Sequence, residues 1–236
     1  LANVNTTGFK KDRANFQALA YQQLIAAGAA SDSENKFATG LSLGTGVAIA
    51  GTSRIDTQGT LTSTGSALDL AIEGGGYFQL QRSDGTIGYT RDGNFSRTAE
   101  GTLVNSDGLP LIPQIQVPDG TTSLTIGNDG TVSATISGQS APTNLGQIEL
   151  ANFANASGLQ SVGGNVLIET AASGAPQVGI AGLDGRGTIK QGSLEGSNVN
   201  IVEELVDMIE TQRAYEVNSK MIKSTDEMLQ YVNQQL

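Results

Sequence analysis

Six aspartates stand directly before a glycine: Asp84, Asp92, Asp107, Asp119, Asp129 and Asp184. Carboxylates on successive loops could ligate calcium, and a pair could share the acid and base roles of glycoside hydrolysis. The spacing supports neither. No stretch supplies the Asp-x-Asp-x-Asp-Gly…Glu set of an EF-hand, no nonapeptide period recurs, and nothing singles out one pair. Asp-Gly is first of all turn chemistry: the carboxylate bonds backbone two residues on, and glycine takes a positive φ. Gly44-Thr45-Gly46 is half of a nucleotide loop. The third glycine of the dinucleotide pattern is missing, as is the Lys-Ser/Thr of a P-loop. Histidine and cysteine are absent, so there is no imidazole base, no Ser-His or Cys-His couple, no cysteine zinc site and no disulfide. The expectation is a protein with no catalytic residue, no cofactor and no metal. The Asn-x-Ser/Thr triplets at Asn5, Asn94 and Asn155 mean glycosylation only in a eukaryotic secreted protein.

The elements that carry these residues fall into three parts. Ser197–Leu236 has no glycine or proline, whereas the preceding residues hold all 31 glycines and all five prolines. That stretch reads as one helix, roughly 55 Å long at ~1.5 Å per residue. Asn200 can cap it, with Glu203 three residues on as a capping-box variant, and Glu203, Glu204 and Asp207 suit the positive end of the helix dipole. Ile201, Met208, Tyr215, Ile222, Leu229 and Leu236 recur every seven residues, the signature of a seam held against another helix. Val202, Leu205, Val206, Ile209, Val217, Met221, Met228 and Val232 flank it. Gln212, Ser219, Asp226 and Asn233 spoil the intervening heptad positions for a simple two-stranded zipper, so packing against several neighbours is expected.

Residues 67–182 read as β structure, an antiparallel sandwich or barrel-like domain of short strands and frequent turns. Ser83-Asp84-Gly85, Ala99-Glu100-Gly101 and Asn128-Asp129-Gly130 mark hairpins. Pro110, Pro113 and Pro118 suit an edge or crossing segment. Upstream, Asn5–Gly8 is a turn, with Gly8 suited to positive φ. From Asp12 the spacing of Phe16, Leu19, Ala20, Leu24 and Ala27 predicts a helix ending at Gly28, with Phe9 and Phe16 as packing residues. The domains expected are 1–36 as the N-terminal part of a helical core, 37–66 as an extended connection, 67–184 as the β domain, 185–196 as a return linker, and 197–236 as the C-terminal core helix.

Net charge is −10, from 13 basic and 23 acidic residues. With no Lys/Arg cluster, nucleic-acid binding is not expected. No apolar run approaches the ~18 residues of a membrane span.

Four stretches carry a resemblance. Leu1–Lys10 (LANVNTTGFK) and Ser197–Lys220 (SNVNIVEELVDMIETQRAYEVNSK) resemble the N- and C-terminal signatures of bacterial flagellar rod and hook proteins. Ala71–Gln79 (AIEGGGYFQ) and Tyr89–Phe95 (YTRDGNF) agree with the middle of that family. The distal rod branch fits better than the hook branch, because there is room for one β domain only. Tyr21–Gly46 is also similar to a rod-stiffening segment that hook proteins lack. A proximal rod protein of the same layout is the runner-up.

The resemblance implies a structural protein that polymerises helically into a rigid, torque-transmitting tube around an export channel. Its place would be the basal body, from periplasm to outer membrane. The implied partners are further copies of itself, proximal rod proteins, the hook protein, and the ring proteins of cell wall and outer membrane. Ile201, Leu205, Met208, Tyr215, Ile222 and Leu229 are the expected assembly residues of the helix. Asn3, Thr7, Gly8 and Phe9 are those of the N-terminal signature, shaping the turn after a family helix expected upstream of Leu1. Two other classes compete. An extracellular adhesin or phage-tail-like fibre would show internal repeats, and none is seen. A carbohydrate-active β-sandwich enzyme would offer aromatic platforms, and this chain has no tryptophan.

Overall fold

The computed structural model describes residues 1–27, 39–138 and 141–235, with side chains as far as Tyr231 in the last helix. The chain divides into two units: Lys10–Asp56, and Leu1–Phe9 together with Thr57–Leu236.

The smaller unit is a β ribbon. Asp12–Ala18 pairs antiparallel with Val47–Arg54, and Tyr21–Ile25 pairs with Leu41–Gly44. The Leu19 N–H donates to the Gly46 carbonyl at 2.9 Å, which links the two ladders. This corrects the expected helix from Asp12 to Ala27. The apolar spacing of Phe16, Leu19 and Leu24 fits a helix face. Val47–Arg54, however, is rich in β-branched residues and needs a partner for its backbone groups. Asp12–Ala18 supplies it, with Phe16 opposite Ile49 and Ala18 opposite Val47. Tertiary pairing overrides local propensity here. Phe16 is 66% exposed, so it is not a core residue of the chain. The expected helix end at Gly28 lies outside the described residues.

The larger unit holds the core. Its widest sheet runs Leu111–Ile112, Phe78–Gln81, Ile87–Thr90, Val166–Ile168, Gln160–Gly163, all antiparallel. A second sheet joins Thr121–Ile126, Thr131–Ile136 and Thr143–Gln147. Two-stranded ribbons complete the unit, among them Leu70–Glu73 with Thr188–Gln191 and Leu61–Ser63 with Ser193–Glu195. Among the described residues these sheets are open and none closes, so the barrel-like alternative is not what forms. The expected edge role of the proline segment is seen: Leu111–Ile112 is an edge strand, followed by a cis Ile112–Pro113 bond.

Alternation buries Leu70, Ile72, Phe78, Leu80, Leu103, Leu111, Ile115, Val132, Ile148, Leu150 and Ile189 in one cluster. A second cluster forms around Tyr77, Tyr89 and Phe153, with Tyr89 edge-on to Phe153 at 4.7 Å between centroids. The turns behave as their sequences imply. Asp84 and Asp129 each accept the N–H of the threonine two residues on, at 2.9 and 3.0 Å, and Gly85 and Gly130 take φ of 83° and 87°.

The helix α1 spans Ile201–Gln235. Asn200 caps it: its Oδ1 accepts the Val202 N–H at 3.1 Å, and its carbonyl accepts the Glu204 N–H at 3.1 Å. Thirty-five residues make a rod about 50 Å long. From Ile201 to Tyr231 every residue of α1 is exposed except Glu204 and Ser219, which are half-buried.

Candidate functional site: the helix surface and its root

Two regions stand out in the larger unit. One is the surface of α1. Ile201, Leu205, Met208, Tyr215, Ile222 and Leu229 all lie on it and all face solvent, from 42% exposed at Met208 to 76% at Tyr215. Apolar side chains are thus left open along the length of the helix.

The other region is the root of the helix, where the N-terminal signature docks. Asn3 closes a turn: its carbonyl accepts the Thr6 N–H at 3.3 Å. Thr7 donates its hydroxyl to Asp92 Oδ1 at 2.8 Å, and its carbonyl accepts the Asn165 side-chain amide at 2.9 Å. Gly8 has φ +67°, and a Cβ there would lie 2.5 Å from the Asp92 nitrogen. Its N–H donates to the Glu195 carbonyl at 2.8 Å. Phe9 offers its carbonyl to the Asn198 N–H at 3.4 Å, while the Asn198 side-chain amide donates to Thr57 Oγ1 at 3.1 Å. The structure thus brings Thr7, Gly8 and Phe9 together at the start of the C-terminal segment. Asn3 does not share that junction beyond its own turn.

Sequence reasoning did not single out the centre of this junction, a buried ion pair. Arg91 Nη1 lies 3.4 Å from Glu195 Oε2, with the two side chains 7% and 0% exposed. Arg91 also donates to the Gly74 carbonyl at 2.7 Å and lies over the Tyr77 ring at 5.3 Å. The other Glu195 oxygen, Oε1, accepts the Gly59 N–H at 2.9 Å. A Cβ on Gly59 would fall 2.0 Å from the Gly196 carbonyl, so only glycine lets these backbones meet. The one available signal was the charged Glu195 ending an otherwise strand-like run. Burial holds the Asp92 carboxyl above its ordinary range, against the opposing bonds from Thr7 and Asn94 and aided by Asp107 and Asp69.

Two recesses lie in the larger unit. A groove of about 520 Å3 beside the root is lined by Thr57–Thr60 and Ser197–Val202, none of them ionisable. A cleft of about 700 Å3 includes Arg82, Asp84, Tyr89 and Glu169. There Arg82 is held by Asp84 at 2.8 Å. Burial, with the Glu169 charge, pushes the Tyr89 hydroxyl up to about 12. A phenol so poised stays protonated and is no base.

Comparison with known proteins identifies two segments of the larger unit. Residues 71–134 match the flagellar hook protein FlgE/F/G D1 domain, and residues 190–235 match the flagellar basal body rod FlgEFG protein C-terminal region. The two matches contain the two halves of the ion pair, Arg91 and Glu195. The chain is 50% identical to the flagellar basal-body rod protein FlgG of Buchnera aphidicola subsp. Acyrthosiphon pisum over 234 residues, 99% of this chain and 90% of that one. It is 46% identical to FlgG of Caulobacter vibrioides, covering 99% and 90%. Against the rod protein FlgF of the same bacterium the identity is 36%, covering 97% and 85%. With such identity sustained from end to end, the chain belongs to the flagellar basal-body rod protein family.

Proposed function

We propose that this structural subunit of the flagellar distal rod is held in the basal body by α1, which sister copies bury when the subunits stack helically into a tube. The observation that supports this is the exposure of Ile201, Leu205, Met208, Tyr215, Ile222 and Leu229 along a 35-residue helix that covers none of them itself. Burial of apolar surface contributes roughly 25 cal/mol per Å2. Six such side chains repeated in every subunit would drive a large association free energy.

The tube would enclose an export channel, with the termini forming its helical inner wall and the β domain outside. Asn3, Thr7, Gly8 and Phe9 would fix the turn at which the N-terminal segment meets the C-terminal one. The role is mechanical rather than catalytic. Assembly with other rod and hook components follows from the family, and we extend it to proximal rod proteins, the hook protein and the ring proteins of the cell wall and outer membrane. The comparison within Caulobacter, where FlgG is nearer than FlgF, favours the distal over the proximal position.

Electron microscopy of the purified chain at rising concentration tests the reading. Tubes of uniform width are expected. A chain that stays monomeric throughout, or that turns over a substrate, would overturn it.

A further inference from the structure

We propose that Arg186 closes the outer edge of the strand Gln177–Ile180 against pairing with the same edge of a second copy of this chain.

Among the described residues that strand pairs on one side only, with Glu149–Asn152. The register shows which of its backbone groups are left over. Ala151 donates its N–H to the Tyr77 carbonyl at 3.0 Å and accepts the Tyr77 N–H at 2.8 Å, so its polar groups point away from Gln177–Ile180. Successive residues of a strand alternate in this respect. Leu150 and Asn152 therefore face their register partners, Gly179 and Gln177. Val178 and Ile180 turn their N–H and carbonyl groups outward instead. Their apolar side chains are 43% and 37% exposed. An apolar edge of this kind is a template for a further strand. It is also self-complementary: two copies set antiparallel about Gly179 would bring Val178 of each opposite Ile180 of the other.

Arg186 lies across that edge. Its Nε donates to the outward Ile180 carbonyl at 3.1 Å, and its Nη2 donates to Asp184 Oδ2 at 2.7 Å. The side chain is nearly enclosed, at 6% exposed. A glycine makes the room: a Cβ on Gly179 would lie 2.6 Å from Nη2. The turn before Arg186 is shaped to the same end. The Arg186 N–H donates to the Leu183 carbonyl at 2.9 Å, and Asp184 takes φ 50°, which aspartate tolerates better than most residues. An arriving strand would have to displace the guanidinium from its carbonyl and cover a charge. The next outward position back along the chain is Pro176, which has no N–H to offer. The edge is thus blocked by proline at one end and by Arg186 at the other.

Three full-length chains are compared at a concentration at which the parent sediments as single molecules. They are the parent, Arg186→Ala, and Gly179→Ala, which keeps the arginine but puts a methyl where its guanidinium lies. Gly179 does not have a left-handed φ, so the alanine strains no backbone there. Both variants should sediment as dimers while the β domain still melts cooperatively. Their Val178 and Ile180 amides should exchange with solvent roughly tenfold more slowly than the parent's. The proposal is overturned if either variant stays single, if dimers form with those two amides unprotected, or if association appears only where the melt is lost. Because the parent is single at the concentration used, these outcomes are independent of whether tubes form.

Discussion

The Gly8 N–H donates to the Glu195 carbonyl at 2.8 Å, tying the N-terminal signature to the strand that leads into the last helix. Everything between them leaves and returns to this junction. Gly8 can make the bond because it has φ +67°, with the backbone of Arg91 and Asp92 filling the space where a side chain would be.

Gly8→Ala should therefore be costly twice over. A positive φ costs a non-glycine residue about 1 kcal/mol, and displacing packed backbone adds roughly 1–3 kcal/mol more. Gly85→Ala is the control: its φ is +83°, but nothing lies within 4 Å of the added carbon. Urea melting should rank Gly8→Ala well below Gly85→Ala. Equal midpoints would show that the close approach at Gly8 relaxes freely.

Much of this architecture is legible in the sequence because its causes are local. The α1 cap at Asn200 and the Asp-Gly turns depend on neighbours within four residues, and the helix follows from a run without glycine or proline. The stretch around Phe16 misleads because its apolar spacing suits two periods, and only the distant Val47–Arg54 decides between them. The Arg91–Glu195 pair is hidden for the opposite reason. A charge in a strand reads as a solvent-facing position, and its partner is set by topology rather than spacing. The same holds for Asn165, whose amide reaches Thr7 across most of the chain.

Tyr89 predicts an alkaline limb of instability. Its hydroxyl moves from its ordinary 10 to about 12, chiefly by burial. The folded state then holds this proton more tightly than the unfolded state. The stability it contributes is fully present below pH 10 and is lost as pH rises from 10 towards 12. Tyr89→Phe keeps the edge-on ring contact with Phe153 and removes the titrating group. Its urea midpoint should fall less steeply than the parent's across that window. Parallel curves would show that Tyr89 ionises as readily folded as unfolded.

Asp92 works in the same direction at the acid end. Burial raises it from the ordinary 3.8, with Asp107 and Asp69 adding repulsion and the Thr7 and Asn94 bonds opposing. Its native state again binds the proton more tightly, so Asp92 contributes stability when protonated and loses it as pH rises through its folded value. At neutral pH the charge is a liability. Asp92→Asn keeps an Oδ1 to accept from both Thr7 and Asn94. The variant should melt higher than the parent at neutral pH and converge with it in acid. A lower midpoint at neutral pH would mean that the carboxylate charge itself strengthens the Thr7 bond beyond its burial cost.

Met208 separates assembly from folding. It sits mid-stripe on α1, 42% exposed, where a substitution disturbs no core of the single chain. Met208→Ile keeps the stripe apolar and nearly conserves volume, which costs less than ~1.5 kcal/mol in a packed setting. Met208→Asp leaves the isolated chain folded but would place an unpaired carboxylate inside the tube, at several kcal/mol per copy. Helical stacking repeats that cost at every subunit, so no neighbouring contact can absorb it. Sedimentation and microscopy should find tubes with Met208→Ile and dispersed chains with Met208→Asp, and cells carrying the latter should not swim. Normal motility with Met208→Asp would mean that α1 is covered, if at all, by some other face.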